Sequence, residues 1–328
     1  MPWLKSRPVK QHYIPQCYLR WFGTPRKKEH YVAVFDRKKK KSYRCNVKDV
    51  ACQNYFNRIL LDGMDPDELE FAMGEFETGL AGALERINAA RTLENEDDRA
   101  YLISLIGLTA LRNPGMRIQI RGLAQDIANL SLAARLQTKD AYDASIEAAK
   151  AAGALRVDYN VTYEEMKGAF ESGSFRIEMD NNAMVSNELQ LLDHVLPLLF
   201  RRGWHLLRAP EGSRGFITSD RPFYLTWSDP SMRNGPIAPG LALAGTDIYF
   251  PISPKLAVVG AFNVGNTVED VDDRRVAVCN SAMADGAERQ VYARDHKFSY
   301  ARTAIEPQRK GNQLISDKRF TQKSRHPS

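Results

Sequence analysis

Gln11-His12-Tyr13-Ile14-Pro15-Gln16-Cys17-Tyr18-Leu19-Arg20-Trp21-Phe22 is the stretch on which the rest of the chain depends. It lies close to the N-terminus, where sequence is commonly dispensable. Yet it concentrates Tyr13, Tyr18, Trp21 and Phe22 beside a His and a Pro. Left on the surface, that much apolar area is an aggregation liability, so the segment is expected to dock into a core.

Outward from it the periodicity changes twice. Residues 30–36 alternate as a strand, and residues 42–47 return as the second arm of a hairpin across the basic run 37–41. From Asp65 the pattern is helical. Asp65-Pro66-Asp67-Glu68 is a helix start, and Leu69, Met73, Phe76, Leu80, Leu84 and Ile87 recur at 3- and 4-residue spacings. Asn95 caps a second helix that stops at Asn113-Pro114. Further helices are expected within 116–153, from the cap Thr162, and over 187–202, where His194 reads as a core histidine.

Strands follow at 203–208, with 215–220 as the hairpin partner, then at 249–254, 256–260 and 290–293. A helix is expected over 268–283. Residues 228–245, rich in Gly, Pro and Ser, read as a mobile loop over a site.

Strands at both ends with helices between them predict an α+β fold. The expected architecture is a mixed or antiparallel sheet from N- and C-terminal strands, with a helical middle (about 65–202) packed against it. One domain is expected over 1–306, followed by a basic, disordered tail at 307–328. A doubly wound sheet is disfavoured, because helices and strands do not alternate and no GxGxxG or Walker loop follows a strand.

A chain of 328 residues with 43% hydrophobic and 26% charged content can build a substantial core. No window approaches a membrane span, and the basic, proline-interrupted first ten residues lack a signal-peptide apolar region. Cys17, Cys45, Cys52 and Cys279 form no CxxC pair, so structural zinc is disfavoured and a reduced, cytoplasmic protein is expected. The net charge of +6 is uneven: residues 1–50 carry +11, residues 307–328 carry +5, and the middle carries −10. Basic ends suit nucleic acid; alternatively they pack against the acidic middle or are solvated.

The opening motif, together with Thr218-Ser219-Asp220-Arg221-Pro222, resembles an uncharacterised family, domain of unknown function 4238. The similarity spans most of residues 10–295. Its further landmarks include Val34-Phe35-Asp36-Arg37, Asn54-Tyr55-Phe56, Glu75, Arg112-Asn113-Pro114 and Asn280. Arg221 stands where the family pattern has Asn. The resemblance implies a mostly prokaryotic protein, with some members beside antiviral defence genes, and supplies no reaction.

His12, Glu75, Arg112 and Asp220 are the candidate catalytic residues. Asp220 follows a strand, where a rigid element holds its carboxylate. Glu75 borders the apolar stripe of the first long helix. Arg112 continues the stripe of Tyr101, Leu105 and Leu108, and a guanidinium there needs an anion. Glu75, Asp220 and His12 offer ligands for Mg²⁺ or Mn²⁺, or an acid/base pair. These residues are expected to meet in one cluster. The structural alternative is that Arg112 neutralises a buried carboxylate and His12 ties down an edge. A serine nucleophile is disfavoured, since Ser219 lacks a GxSxG elbow and points away from Asp220. Cys17, among aromatics, is expected to be inert.

Two functions follow as expectations. One is a metal-dependent nuclease or phosphodiesterase, with antiviral defence as its setting. The other is a non-catalytic nucleic-acid-binding or sensor protein acting with a protein partner.

Overall fold

The computed structural model describes residues 9–60, 65–174 and 180–322. Basic residues Lys5 and Arg7 and the last six positions lie outside the described residues. The opening stretch forms strand β1 (Lys10–His12) and helix α1 (Gln16–Leu19), and a 3-10 turn carries it to Phe22. Strands β2 (Thr24–Arg26), β3 (Glu29–Asp36) and β4 (Lys41–Asn46) make two successive hairpins, and β5 (Cys52–Asn54) returns to pair with β1.

Helices α2 (Glu68–Ala90), α3 (Glu96–Leu111), α4 (Pro114–Arg135), α5 (Lys139–Ala151), α6 (Tyr163–Glu171) and α7 (Asn181–Phe200) form the middle of the chain. Asn95 caps α3 by accepting the Asp98 N–H at 2.9 Å. Thr162 and Glu165 close a capping box on α6, satisfying backbone groups that helix ends leave open.

The second half contributes β6 (Gly203–Arg208), β7 (Thr218–Ser219), β8 (Tyr224–Trp227), β9 (Thr246–Ser253), β10 (Leu256–Ala261) and β11 (Thr267–Asp270). Helix α8 (Asp273–Gly286) follows, then β12 (Gln290–Ala293), β13 (Ser299–Tyr300), β14 (Arg309–Lys310) and α9 (Lys318–Thr321). The fold is α+β. One antiparallel sheet runs β2-β3-β12-β7, with β4 also on β3. A mixed sheet runs β11-β6-β10-β9-β8.

The chain divides into two compact units, one of residues 1–113 with 185–328 and one of residues 114–184. In the larger unit the central strands of both sheets are buried on both faces, and side-chain alternation assigns the faces. Val32, Val34, Leu206, Phe250, Val258 and Tyr292 share a core with α2, α3 and α7. Their neighbours Ala33, Phe35, Leu207, Tyr249, Ala257 and Val291 share another with α8 and the C-terminal segment. In the smaller unit, α5 and α6 meet through the rings of Tyr142 and Tyr163, 6.0 Å apart. The two hydroxyls donate to Val161 O and Leu136 O.

The opening stretch docks as its composition demands. Tyr18, Leu19 and Phe22 have no exposure. The Tyr18 hydroxyl donates to Pro251 O at 2.7 Å in β9 and meets Thr218 Oγ1 at 2.7 Å in β7. One side chain therefore ties the two sheets together.

Four expectations are corrected. Residues 215–220 do not pair with β6; β7 lies beside β12, while β6 lies between β10 and β11. The turn signal is sound, but alternation does not say which sheet a strand joins. The crossing passes Gly215, at φ +76°, where a Cβ would sit 1.8 Å from Pro254 O. The helix expected over 268–283 begins only after β11, because Asp272 caps α8 through the Arg275 N–H at 2.7 Å. His194 is exposed, since α7 turns Val195 and Leu199 inward instead.

The fourth correction concerns the tail, which is ordered through α9. Leu314 and Phe320 are 1% and 2% exposed, and β14 pairs with β13. Asp317 binds Arg309 and Arg319, so a buried carboxylate anchors two of the basic residues that argued for disorder. The loop over 228–245 is also held at several points. Arg202 donates to Leu241 O at 2.8 Å, Thr246 Oγ1 to Leu243 O at 2.7 Å, and Trp227 Nε1 to Ile237 O at 3.0 Å.

Candidate functional site

Successive residues of the opening strand serve different polar groups, as strand alternation requires. Gln11 is fully buried. Its carbonyl oxygen accepts the Asn57 N–H at 2.6 Å, and its amide lies 3.5 Å from Asp67. The Asn57 side chain accepts from Arg112 Nη2 and donates to Glu70 at 2.6 Å. Arg112 is 3% exposed, and its Nη1 also reaches Met73 Sδ at 3.1 Å. Its anionic neighbours are Glu70 and Glu77 of α2, which with Met73 fall at helical positions i, i+3 and i+7.

Glu77 is the unusual carboxyl of this group. Burial raises it to about 7 and Glu70 adds to the rise, while Arg20 and Arg112 oppose it. The neighbouring Cys17 thiol is pushed up to about 12, first by burial and then by Glu77, which leaves it protonated and unreactive. Glu75 is exposed, because two residues along a helix turn the side chain away from the face that Glu77 occupies. Its placement beside a cleft is corrected accordingly.

Asp220 lies at the end of β7, 6% exposed. Its carboxylate accepts the backbone N–H groups of Glu288, Arg289 and Gln290 at 2.9, 2.8 and 2.9 Å. Burial raises it to about 6 against those three donors. Its oxygens are committed to holding the entry into β12. Beside it, fully buried Asp36 at the end of β3 accepts from Arg289 Nη2 at 2.7 Å and from Gln290 at 2.9 Å. Burial pushes Asp36 up, yet Arg289, Gln290 and the Lys39 N–H hold it below the usual aspartate range. Arg37, 6% exposed, donates to Ala284 O at 2.7 Å and lies over the Phe320 ring.

His12 is partly buried, and burial lowers it, favouring the neutral imidazole. Its Nδ1 lies 3.4 Å from Gln16 Nε2, and its environment is the backbone of Val47 and Lys48. Its neighbour Tyr13 lies within the field of Asp220. The hydrogen bonds around these residues run in two networks, one joining Gln11, Asn57, Glu70 and Arg112 and the other joining Asp220 and Asp36 to residues 288–290. Among the described residues, no three His, Cys, Asp or Glu side chains converge to hold a metal ion. His12, Glu75 and Asp220 do not fit a shared Mg²⁺ or Mn²⁺.

The two hairpin tips lie at opposite ends of β3, the β3–β4 tip directly after Asp36 of the second network and the β2–β3 tip directly before Glu29. Lys38, Lys39 and Lys40 form the exposed tip between β3 and β4, and Arg26, Lys27 and Lys28 the tip between β2 and β3. Lys48 and Lys10 are neutralised by Glu29 and Asp49 at 2.6 and 2.7 Å, whereas the tip lysines carry no ion pair among the described residues. Lys27 and Lys40 adopt φ of 56° and 49°, a left-handed backbone that favours glycine.

The pattern of the family described as "Protein of unknown function (DUF4238)" matches residues 10–297. The chain belongs to this family. No curated protein and no solved structure matches it. The family match takes in both networks and both hairpins, and ends just before β13, so the segment carrying β14 and α9 lies beyond it.

Sequence reasoning missed Gln11, Asn57, Glu70 and Glu77. Helical phase could have found the last two, because they share a face with Met73. Asn57 follows no periodic pattern and becomes visible only through its contacts. No described helix is long and apolar enough to cross a membrane.

Proposed function

We propose that this protein binds nucleic acid without catalysis of its own, gripping the phosphates with its two basic hairpins. The supporting observation is a lysine in left-handed backbone at each tip, Lys27 and Lys40, exposed and with no ion pair among the described residues. Glycine is cheaper at such positions, and strain of this kind persists where the side chain has a use. The Asp36–Arg289–Gln290 network fixes the base of one tip, giving its charges a rigid support. Phosphate contacts of this kind position a nucleic acid without reading its sequence. The setting we propose is cytoplasmic and prokaryotic, beside antiviral defence genes and a protein partner.

The test is affinity for duplex and single-stranded DNA and RNA across a salt series. Affinity should fall steeply with salt. Replacing residues 38–41 with serine should flatten that slope by roughly one unit for each phosphate no longer neutralised. Undetectable binding at low salt overturns the reading.

Glu77 favours a second reading, a metal-dependent nuclease or phosphodiesterase. A carboxyl raised to about 7 beside Arg112 has the poise of a general acid or base. The same nucleic acids incubated with Mg²⁺ or Mn²⁺ test it. Cleavage that disappears in Glu77→Gln supports it, and no cleavage removes it.

A further inference from the structure

Away from both networks, the face of the mixed sheet turned toward α8 borders a cavity of about 240 Å³. Strand register builds its floor: Tyr224, Tyr249 and Val259 lie side by side across β8, β9 and β10, with Thr226 and Asp247 in the next row of the same face. Helix α8 forms the opposite wall with Cys279, Ser281 and Asp285. A second cavity of about 270 Å³ shares Tyr224 and Asp285 with the first and extends to Arg221.

Two features distinguish this place from a packing defect. The hydroxyls of Tyr249 and Ser281 are buried, their residues 5% and 6% exposed, and neither has a hydrogen-bond partner of good geometry. The group beside Tyr249 is the Cys279 thiol, a weak partner. An unsatisfied buried hydroxyl costs stability, and here two of them belong to residues that line one cavity. At the rim stand three guanidinium groups from separate elements: Arg233 in the 3-10 turn after β8, Arg275 in α8 and Arg302 after β13. Asp285 engages Arg302 loosely at 3.8 Å, and Asp247 is occupied by Ser228 Oγ at 2.7 Å. Among the described residues, Arg233 and Arg275 carry no ion pair, which leaves their guanidinium groups for an outside anion.

We propose that this cavity binds a small phosphorylated ligand of nucleotide size. The rim arginines take the phosphate, since guanidinium matches its geometry with paired N–H donors. The organic body lies against Tyr224 and Val259, and its polar atoms satisfy the Tyr249 and Ser281 hydroxyls. The site is separate from the hairpins, so it holds whether or not they bind nucleic acid.

Calorimetric titration of the full chain with adenosine and uridine 5′-monophosphates tests the assignment, with the parent nucleosides and inorganic phosphate as separate arms. At least one monophosphate should bind at least roughly tenfold more tightly than its nucleoside or phosphate. Arg275→Ala should weaken that binding roughly tenfold by removing a charge-assisted contact. Tyr249→Phe should weaken it too, while the melting temperature without ligand stays unchanged or rises, because an unpartnered hydroxyl has been removed. A chain with serines at 38–41 should bind the monophosphate normally. The proposal is overturned if neither monophosphate binds at millimolar concentration. It is equally overturned if phosphate or nucleoside binds as tightly, if both site variants leave affinity unchanged, or if Tyr249→Phe lowers the ligand-free melting temperature.

Discussion

Glu77 and Asp220 are both raised carboxyls, but their surroundings give them different consequences. Glu77, near 7 in the folded chain, keeps a proton between its ordinary value of 4.5 and neutrality that the unfolded chain releases. Stability from this group is therefore fully present below its ordinary value and is lost as pH rises from there through 7. Glu77→Gln should leave stability at pH 4 nearly unchanged and raise it at pH 8, by an amount on the order of 2 kcal/mol. Denaturant melts across pH check this, and a parallel loss in wild type and variant would refute it. Asp220, by contrast, holds three backbone N–H groups. Asp220→Asn turns an amide toward at least one of them and should cost on the order of 2 kcal/mol at pH 7. Its melting temperature must be measured before any loss of activity is read as catalysis. Of these residues Asp220 is legible in the sequence, through its place after a strand. Glu77 is not, because composition and spacing identify a helix more readily than the face a partner will choose.

At the level of elements, the hairpins declare themselves through alternation and a charged turn. The pairing of β7 does not, because register with β12 is fixed by Asp220 and the Gly215 crossing rather than by any local pattern. The β3–β4 tip offers a direct test of strain kept for function. Lys40→Gly should stabilise the protein by about 1 kcal/mol, since glycine adopts the left-handed backbone freely. The same change should weaken nucleic-acid binding at low salt. Thermal melts and anisotropy titrations on one preparation give both numbers. A stabilised variant with unchanged affinity would mean that the tip lysine is strained for some other reason.

For the whole molecule, the C-terminal segment belongs to the core rather than to the surface. Phe298, Tyr300, Leu314 and Phe320 pack with α8 and β3, and Arg37 lies over Phe320. Composition conceals this, because one aromatic among basic residues looks like a solvated tail. Deleting residues 307–328 should therefore lower the melting temperature markedly: burying Phe320 and Leu314 alone contributes about 3 to 6 kcal/mol. A truncated chain that melts like the full one would restore the picture of a disordered tail.

The Tyr18 hydroxyl has a consequence in time. Its partners Thr218 and Pro251 follow it by 200 and 233 positions, and Asp36 meets Arg289 253 positions later. At roughly 5–20 residues per second, the opening hairpins wait on the order of ten to fifty seconds for the strands that complete their sheet. Chains stalled before residue 290 should be cut by protease within residues 10–50, and completed chains should resist there. Such distant pairing folds slowly and keeps Tyr18, Trp21 and Phe22 open to chaperones throughout translation. A segment made some 200 positions before its partners is thus among the last to be secured.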